Sequence, residues 1–158
     1  MGGLHIEQAA LVCIGQLVTG TGLEDIKTYA SLDTVGLKSA VCDVNNIKKA
    51  WYTIQVIAAV LSKQLKLAFN SRDNKDQVFS AWIKVQLGSP MFNYWYNVLQ
   101  SIKNVLLLLR SFREANFDLF ISALELIVPL FFSRDHIHGW ISDFLEDFKL
   151  LHIKMPAL

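Results

Sequence analysis

The amino-acid sequence predicts an all-α fold, a single domain of about five to seven helices whose antiparallel neighbours are joined by short loops. Three observations carry that expectation. Apolar stripes at spacings of three and four follow one another from Asn93 to Leu151, the 3.6-residue period of helices buried on one side. No stretch alternates apolar and polar residues with the period of two that a half-buried strand requires. The breaks between stripes are short and made of helix-ending and helix-starting residues, as in Gly88-Ser89-Pro90 and Ser133-Arg134-Asp135-His136, which suits tight helix–helix connections.

In chain order, Ile6 to Val18 reads as a first helix, with Ile6, Ala9, Ala10, Cys13, Ile14 and Leu17 on one face and Gly20 and Gly22 ending it. Leu23–Ala30 suits a short helical turn, and Thr34–Val41 a short helix inside the least patterned stretch of the chain. Asn45 or Asn46 caps the next helix, because an Asn side-chain oxygen accepts from an orphan backbone N–H. That helix runs to about Phe69, with Ile47, Trp51, Ile54, Ala58, Leu61 and Leu65 along one side. After the polar break Ser71–Lys75, Asp73 or Asp76 is expected to cap a helix over Gln77–Leu87, with Val78, Phe79, Trp82, Val85 and Gln86 facing in or near the boundary. Ser89 is the next N-cap, and Pro90 takes the first helical position, where its missing N–H is not needed.

The helix from Pro90 to about Glu114 has the longest stripe, from Phe92, Trp95 and Val98 through Ile102 and Val105 to Leu109 and Phe112. Leu107 and Leu108 widen it, so cover on more than one side is expected. Asn116 restarts the chain, and Phe117, Phe120, Ile121, Leu124, Ile127, Val128 and Phe131 form the following stripe. Pro129 is expected to kink that helix or end its regular part near Val128. A last helix over Trp140–Leu151 would put Trp140, Ile141, Phe144, Leu145, Phe148 and Leu151 on one face. Residues 90–151 thus hold the strongest core of a single domain spanning 1–158.

Composition bounds the function. The formal net charge is +1, so nothing steers the whole molecule onto nucleic acid or an anionic membrane. Hydrophobic residues make up 53 % and charged residues 18 %, with a mean hydropathy of +0.33. That is apolar for a free-standing domain of this size, and it predicts a face covered by a protein partner or by a missing part of the protein's own chain. No transmembrane span is expected: Leu119–Phe132 is too short and holds Glu125 and Pro129, while Trp51–Phe69 is interrupted by Lys63 and Lys66. Met1–Gly22 lacks the basic start of a secretory leader. Cys13 and Cys42 stand outside any Cys-x-x-Cys pattern and read as buried thiols of an intracellular protein, with cytoplasm and nucleus undistinguished.

Candidate chemistry is sparse. Asp135, His136 and His138 form the only cluster with metal-binding character: two imidazoles two residues apart can share an ion on extended backbone but point about 200° apart on a helix. Solvated histidines at a helix start are the ordinary alternative. Glu125, inside an apolar stripe, would be a general acid only if buried. The acids Asp143, Glu146 and Asp147 fit a solvated helix face as well as a carboxylate site. No nucleophile–base motif, phosphate-cradling loop or cofactor fingerprint occurs. Lys48, Lys49, Lys63, Lys66, Arg72 and Lys75 make a diffuse basic patch near Trp51 and Tyr52 that suits either weak phosphate contact or a solvated helix face.

Residues 91–151 resemble a segment of large uncharacterised animal proteins derived from mobile elements. The resemblance lies in Arg110, Arg113 and Glu114 after a leucine-rich helix, then Ala115, Asn116 and Phe117, then Pro129, Phe131 and Phe132, then Asp135, His136 and Trp140. Those proteins have an aromatic-Ala-Arg before the Trp where this chain has His138-Gly139, and they continue beyond the position of Leu158. The resemblance therefore implies a truncated or decaying copy, and it transfers no activity and no catalytic residue. The sequence leads to a non-enzymatic helical interaction module or a fragment of one. A mobile-element remnant with weak nucleic-acid contact is the second reading and a metal-assisted enzyme at Asp135, His136 and His138 a distant third; no cofactor is expected.

Overall fold

Four of the apolar stripes fold as long helices, and a shorter helix bridges two of them. The computed structural model describes residues 3–22, 47–73 and 75–133. The helices are α1 (Gly3–Val18), α2 (Ile47–Asn70), α3 (Phe79–Gln86), α4 (Pro90–Arg113) and α5 (Phe117–Phe132), and no strand occurs among the described residues. The expected elements at Leu23–Ala30, Thr34–Val41 and Trp140–Leu151, the cap at Asn45 or Asn46, and the Asp135–His138 cluster lie outside the described residues.

The helix α4 is the axis of the bundle. It packs against α1, α2 and α5, and all three run antiparallel to it. Tyr94, near its start, donates its hydroxyl to the Leu17 carbonyl at the end of α1. Near its other end, Arg113 lies in the field of Glu7 at the start of α1. Phe112 meets Phe120 across the α4–α5 turn, with ring centroids 5.3 Å apart. The expected extra cover follows: Val98, Leu99, Ile102, Val105, Leu108 and Leu109 are all buried, and Leu106, Leu107 and Phe112 pack partly buried against the same core. On α1 the buried set includes Leu11 and Val18 beside the expected Ile6, Ala10, Cys13 and Ile14. Contact with three neighbours widens the buried arc of α1 beyond a single stripe.

The α4–α5 corner is short because both ends are capped. Ala115 adopts φ +48°, and the amides of Ala115 and Asn116 return to the carbonyls of Phe112 and Ser111 at 3.3 and 3.0 Å. That pair of bonds is a Schellman closure, usually built on Gly because the left-handed conformation crowds a Cβ. Asn116 then caps α5, its side-chain oxygen accepting from the Leu119 amide at 2.9 Å.

Two expectations are corrected and a third is narrowed. The N-cap of α3 is Val78 with no side-chain cap bond, so neither Asp73 nor Asp76 caps it. Val78 and Val85 are exposed, at 68 % and 66 %, because this eight-residue helix buries only Trp82 and Ile83. Of the two alternatives for Pro129, a kink or an end to the regular part near Val128, the structure overturns the second, because α5 continues to Phe132. The proline removes only its own N–H, and Ser133 still donates to the Pro129 carbonyl at 3.1 Å, so the last turn stays closed. Ser89 does occupy the N-cap of α4, without a side-chain bond, and Pro90 follows as expected.

Candidate interaction site

The helix α2 supplies the first element of the site. Its stripe is apolar over its whole 24 residues, but its buried residues are Ala50, Trp51, Thr53, Ile54, Ile57 and Ala58, all in the first half. Beyond Ala58 the same face continues as Leu61 and Leu65, which are half-buried against the core, and Ala68, which is exposed. The start of α4 stands opposite, where Phe92, Trp95 and Tyr96 are half-buried and Leu99 is buried. Together these residues and Gln64 line a groove of about 260 Å³. Its only side-chain polar groups besides the Trp95 indole are the Gln64 amide and the Tyr96 hydroxyl.

An aromatic wall closes the lower end of this region. Phe69 meets Phe79 and Trp82 edge-on at 5.0 and 5.4 Å, and Trp82 meets Phe92 at 5.6 Å. Phe92 in turn stacks on Tyr96 at 6.0 Å. Such offset and edge-on pairs align the ring quadrupoles and hold the wall in one arrangement. Arg72 folds the α2–α3 connection beneath it. Its guanidinium lies 3.3 Å from the Phe69 ring centroid and donates to the carbonyls of Lys75 and Gln77 at 3.1 and 2.9 Å and to that of Phe69. Its Nε is buried without a hydrogen-bond partner.

A second, more polar cleft of about 370 Å³ lies between α4 and α5. Asn97, Gln100, Ser101 and Asn104 face Leu126, Pro129, Leu130 and Ser133 across it. Asn104 reaches the Leu126 carbonyl at 3.4 Å, and Ser133 returns to the Leu130 carbonyl at 2.8 Å. Among the described residues these polar groups are neutral amides and hydroxyls.

The residues singled out from the sequence separate in space. Lys48, Lys63 and Lys66 are exposed on α2, Lys49 is half-buried, and Arg72 is engaged with its own backbone as above. Glu125 is exposed on α5, which removes the burial a general acid there would need. No group of three or more His, Cys, Asp or Glu side chains able to hold a metal ion occurs among the described residues. Among them, too, no helix is long and apolar enough to cross a membrane. Glu7, half-buried in α1, has its carboxyl pushed above the usual glutamate range by burial, an effect the Arg113 guanidinium partly offsets.

The groove itself was half legible in the sequence. Leu61, Leu65, Phe92, Trp95 and Leu99 fall on the expected helix stripes, and Ala68 and Tyr96 lie beside them. Which part of which stripe stays open depends on where α2 overhangs its neighbours, and no local signal encodes that. No protein-family model, curated protein or solved structure matches this chain.

Proposed function

We propose that this protein is a non-enzymatic helical interaction module that receives a protein partner in the groove between the second half of α2 and the start of α4. The observation that carries this reading is the open continuation of the α2 stripe. Leu61, Leu65 and Ala68 repeat the spacing of the buried Ile54 and Ala58, yet Leu61 and Leu65 are only half-buried against the core, Ala68 is exposed, and all three line a groove with aromatic side chains opposite. Aromatic anchors around a dry centre are what energetically important interface positions are made of. The test is a selection of displayed helical peptides on the immobilised chain, counter-selected on Ala68→Glu. Ala68 is exposed and lines the groove, so the glutamate blocks docking without disturbing the core. Recovered peptides with apolar anchors at i, i+3, i+4 and i+7 that lose binding to Ala68→Glu support the reading. Equal recovery on both proteins overturns it.

A second reading, a mobile-element remnant with weak nucleic-acid contact, is favoured by one observation: Lys48, Lys63 and Lys66 are all exposed on α2, with exposed Tyr52 among them. On that reading, binding to single-stranded DNA weakens linearly in log salt, and Lys63→Gln with Lys66→Gln lowers the salt slope by about 1–2. No binding at low ionic strength overturns it.

A further inference from the structure

We infer that the partner in the α2–α4 groove is an acidic amphipathic helix, seated with its apolar stripe in the groove and its carboxylates in the positive field of the two walls. This rests on the docking reading above and adds the shape and charge of what docks.

The shape follows from the walls. Two antiparallel helices facing each other across a trough accept a third helix by ridge-into-groove packing, as in any small bundle. The α2 part of the lining runs from Leu61 to Ala68, about 11 Å or two helical turns at 1.5 Å per residue. Two turns hold the anchors i, i+3, i+4 and i+7 of a helix-in-groove ligand. An apolar trough without a cation in its lining is unsuited to a phosphate backbone, which needs charged or polar donors in contact.

The charge follows from composition. Four lysines lie on α2 and Lys103 on α4, and neither helix contains an Asp or a Glu. Arg110 and Arg113 lie at the far end of α4, the first in a 2.7 Å ion pair with Glu114 and the second in the field of Glu7, so they do not add to the charge beside the groove. The chain as a whole is only +1, so the two walls hold a local excess of positive charge that the rest of the molecule balances. Lys63 adjoins the groove-lining Gln64, Lys66 follows Leu65, and Lys103 stands one turn beyond Leu99; all three lysines are exposed. The acids that follow α2, Asp73 and Asp76, belong to the α2–α3 connection that Arg72 folds. Cations on the far sides of the walls act on a docked helix through space rather than by contact. Their influence therefore reads out as salt-dependent affinity and association rate, falling off over about 8 Å at physiological ionic strength.

The experiment uses the full chain and two labelled helical peptides of about 15 residues, identical in a Leu/Phe stripe at i, i+3, i+4 and i+7 and carrying glutamates or lysines elsewhere. Fluorescence anisotropy is read at about 50 mM and about 500 mM salt. The glutamate peptide is expected to bind at least about tenfold more tightly at low salt, with the advantage shrinking at high salt. Ala68→Glu abolishes binding of the glutamate peptide, and the exposed triple variant Lys63→Glu, Lys66→Glu, Lys103→Glu inverts the preference while keeping its helical signal. Equal affinity for the two peptides overturns the acidic partner and leaves the docking reading standing. Binding of neither peptide overturns both. A rise in affinity for the glutamate peptide on Phe144→Ser with Leu145→Ser shows the groove held by residues 140–151 of the same chain, which overturns a partner supplied in trans.

Discussion

Ala115 and Glu7 are the two residues whose local chemistry runs against the fold. Ala115 closes α4 at φ +48°, where a Cβ crowds the carbonyl. Ala115→Gly relieves that crowding and loses some stability to the extra freedom of the unfolded chain. The expected net gain is about 0.5–1 kcal/mol, read as a higher denaturation midpoint at unchanged slope. Glu7 has its folded pKa raised, chiefly by burial. The folded state therefore holds the proton more tightly than the unfolded chain does. That contribution to stability is full below the ordinary glutamate pKa, is lost as pH rises through the interval up to the raised value, and changes no further above it. Glu7→Gln should accordingly raise the melting temperature at about pH 7 and make much less difference at about pH 4. A larger gain at the acidic end would contradict the burial of the carboxyl. Neither residue was legible as special from the sequence. Ala115 gives no left-handed signal by type, and whether Glu7 is covered depends on helices distant in the chain.

At the scale of the element, α3 and its connection depend on one side chain. Only Trp82 and Ile83 of α3 are buried, so the helix relies on the aromatic wall and on the Arg72 fork that fixes the residues before it. Arg72→Ala is expected to speed amide exchange over Ile83–Gln86 by about tenfold or more, while the exchange of Ile102 and Val105 in α4 stays unchanged. Arg72→Lys should rescue little, because an ammonium cannot present the planar fork that meets several carbonyls and a ring at once. Exchange that quickens equally in α3 and α4 would mean that Arg72 supports the whole bundle rather than this corner. The long helices needed no such support to be recognised. Their stripes placed the ends of α4 and α5 within a residue of those observed, helped by Pro90 and by the cap at Asn116. The misreadings fell on the shortest helix, where neighbours, rather than local periodicity, decide the outcome.

For the whole molecule, stability and docking should separate along α4. Leu108 is fully buried between neighbouring helices, and Leu108→Ala should cost about 2–5 kcal/mol in urea unfolding, the lost burial plus the cavity left behind. Ala68→Glu, at an exposed position, should change stability by no more than about 0.5 kcal/mol while removing the groove. A large cost for Ala68→Glu would instead identify the groove as part of the core. The sequence by itself determined that this is a helical protein and where its long helices run. These follow from periodicity, which acts within a helix turn. Only the tertiary structure decided that α4 is the axis, that three helices run antiparallel to it, and that, among the described residues, the second half of α2 lines a groove with Phe92, Trp95 and Tyr96. The physical reason is that a helix stripe states which face must be covered and not by what. Cover depends on how far each helix overlaps its neighbours, and that overlap is settled by the packing of residues remote from one another in the chain.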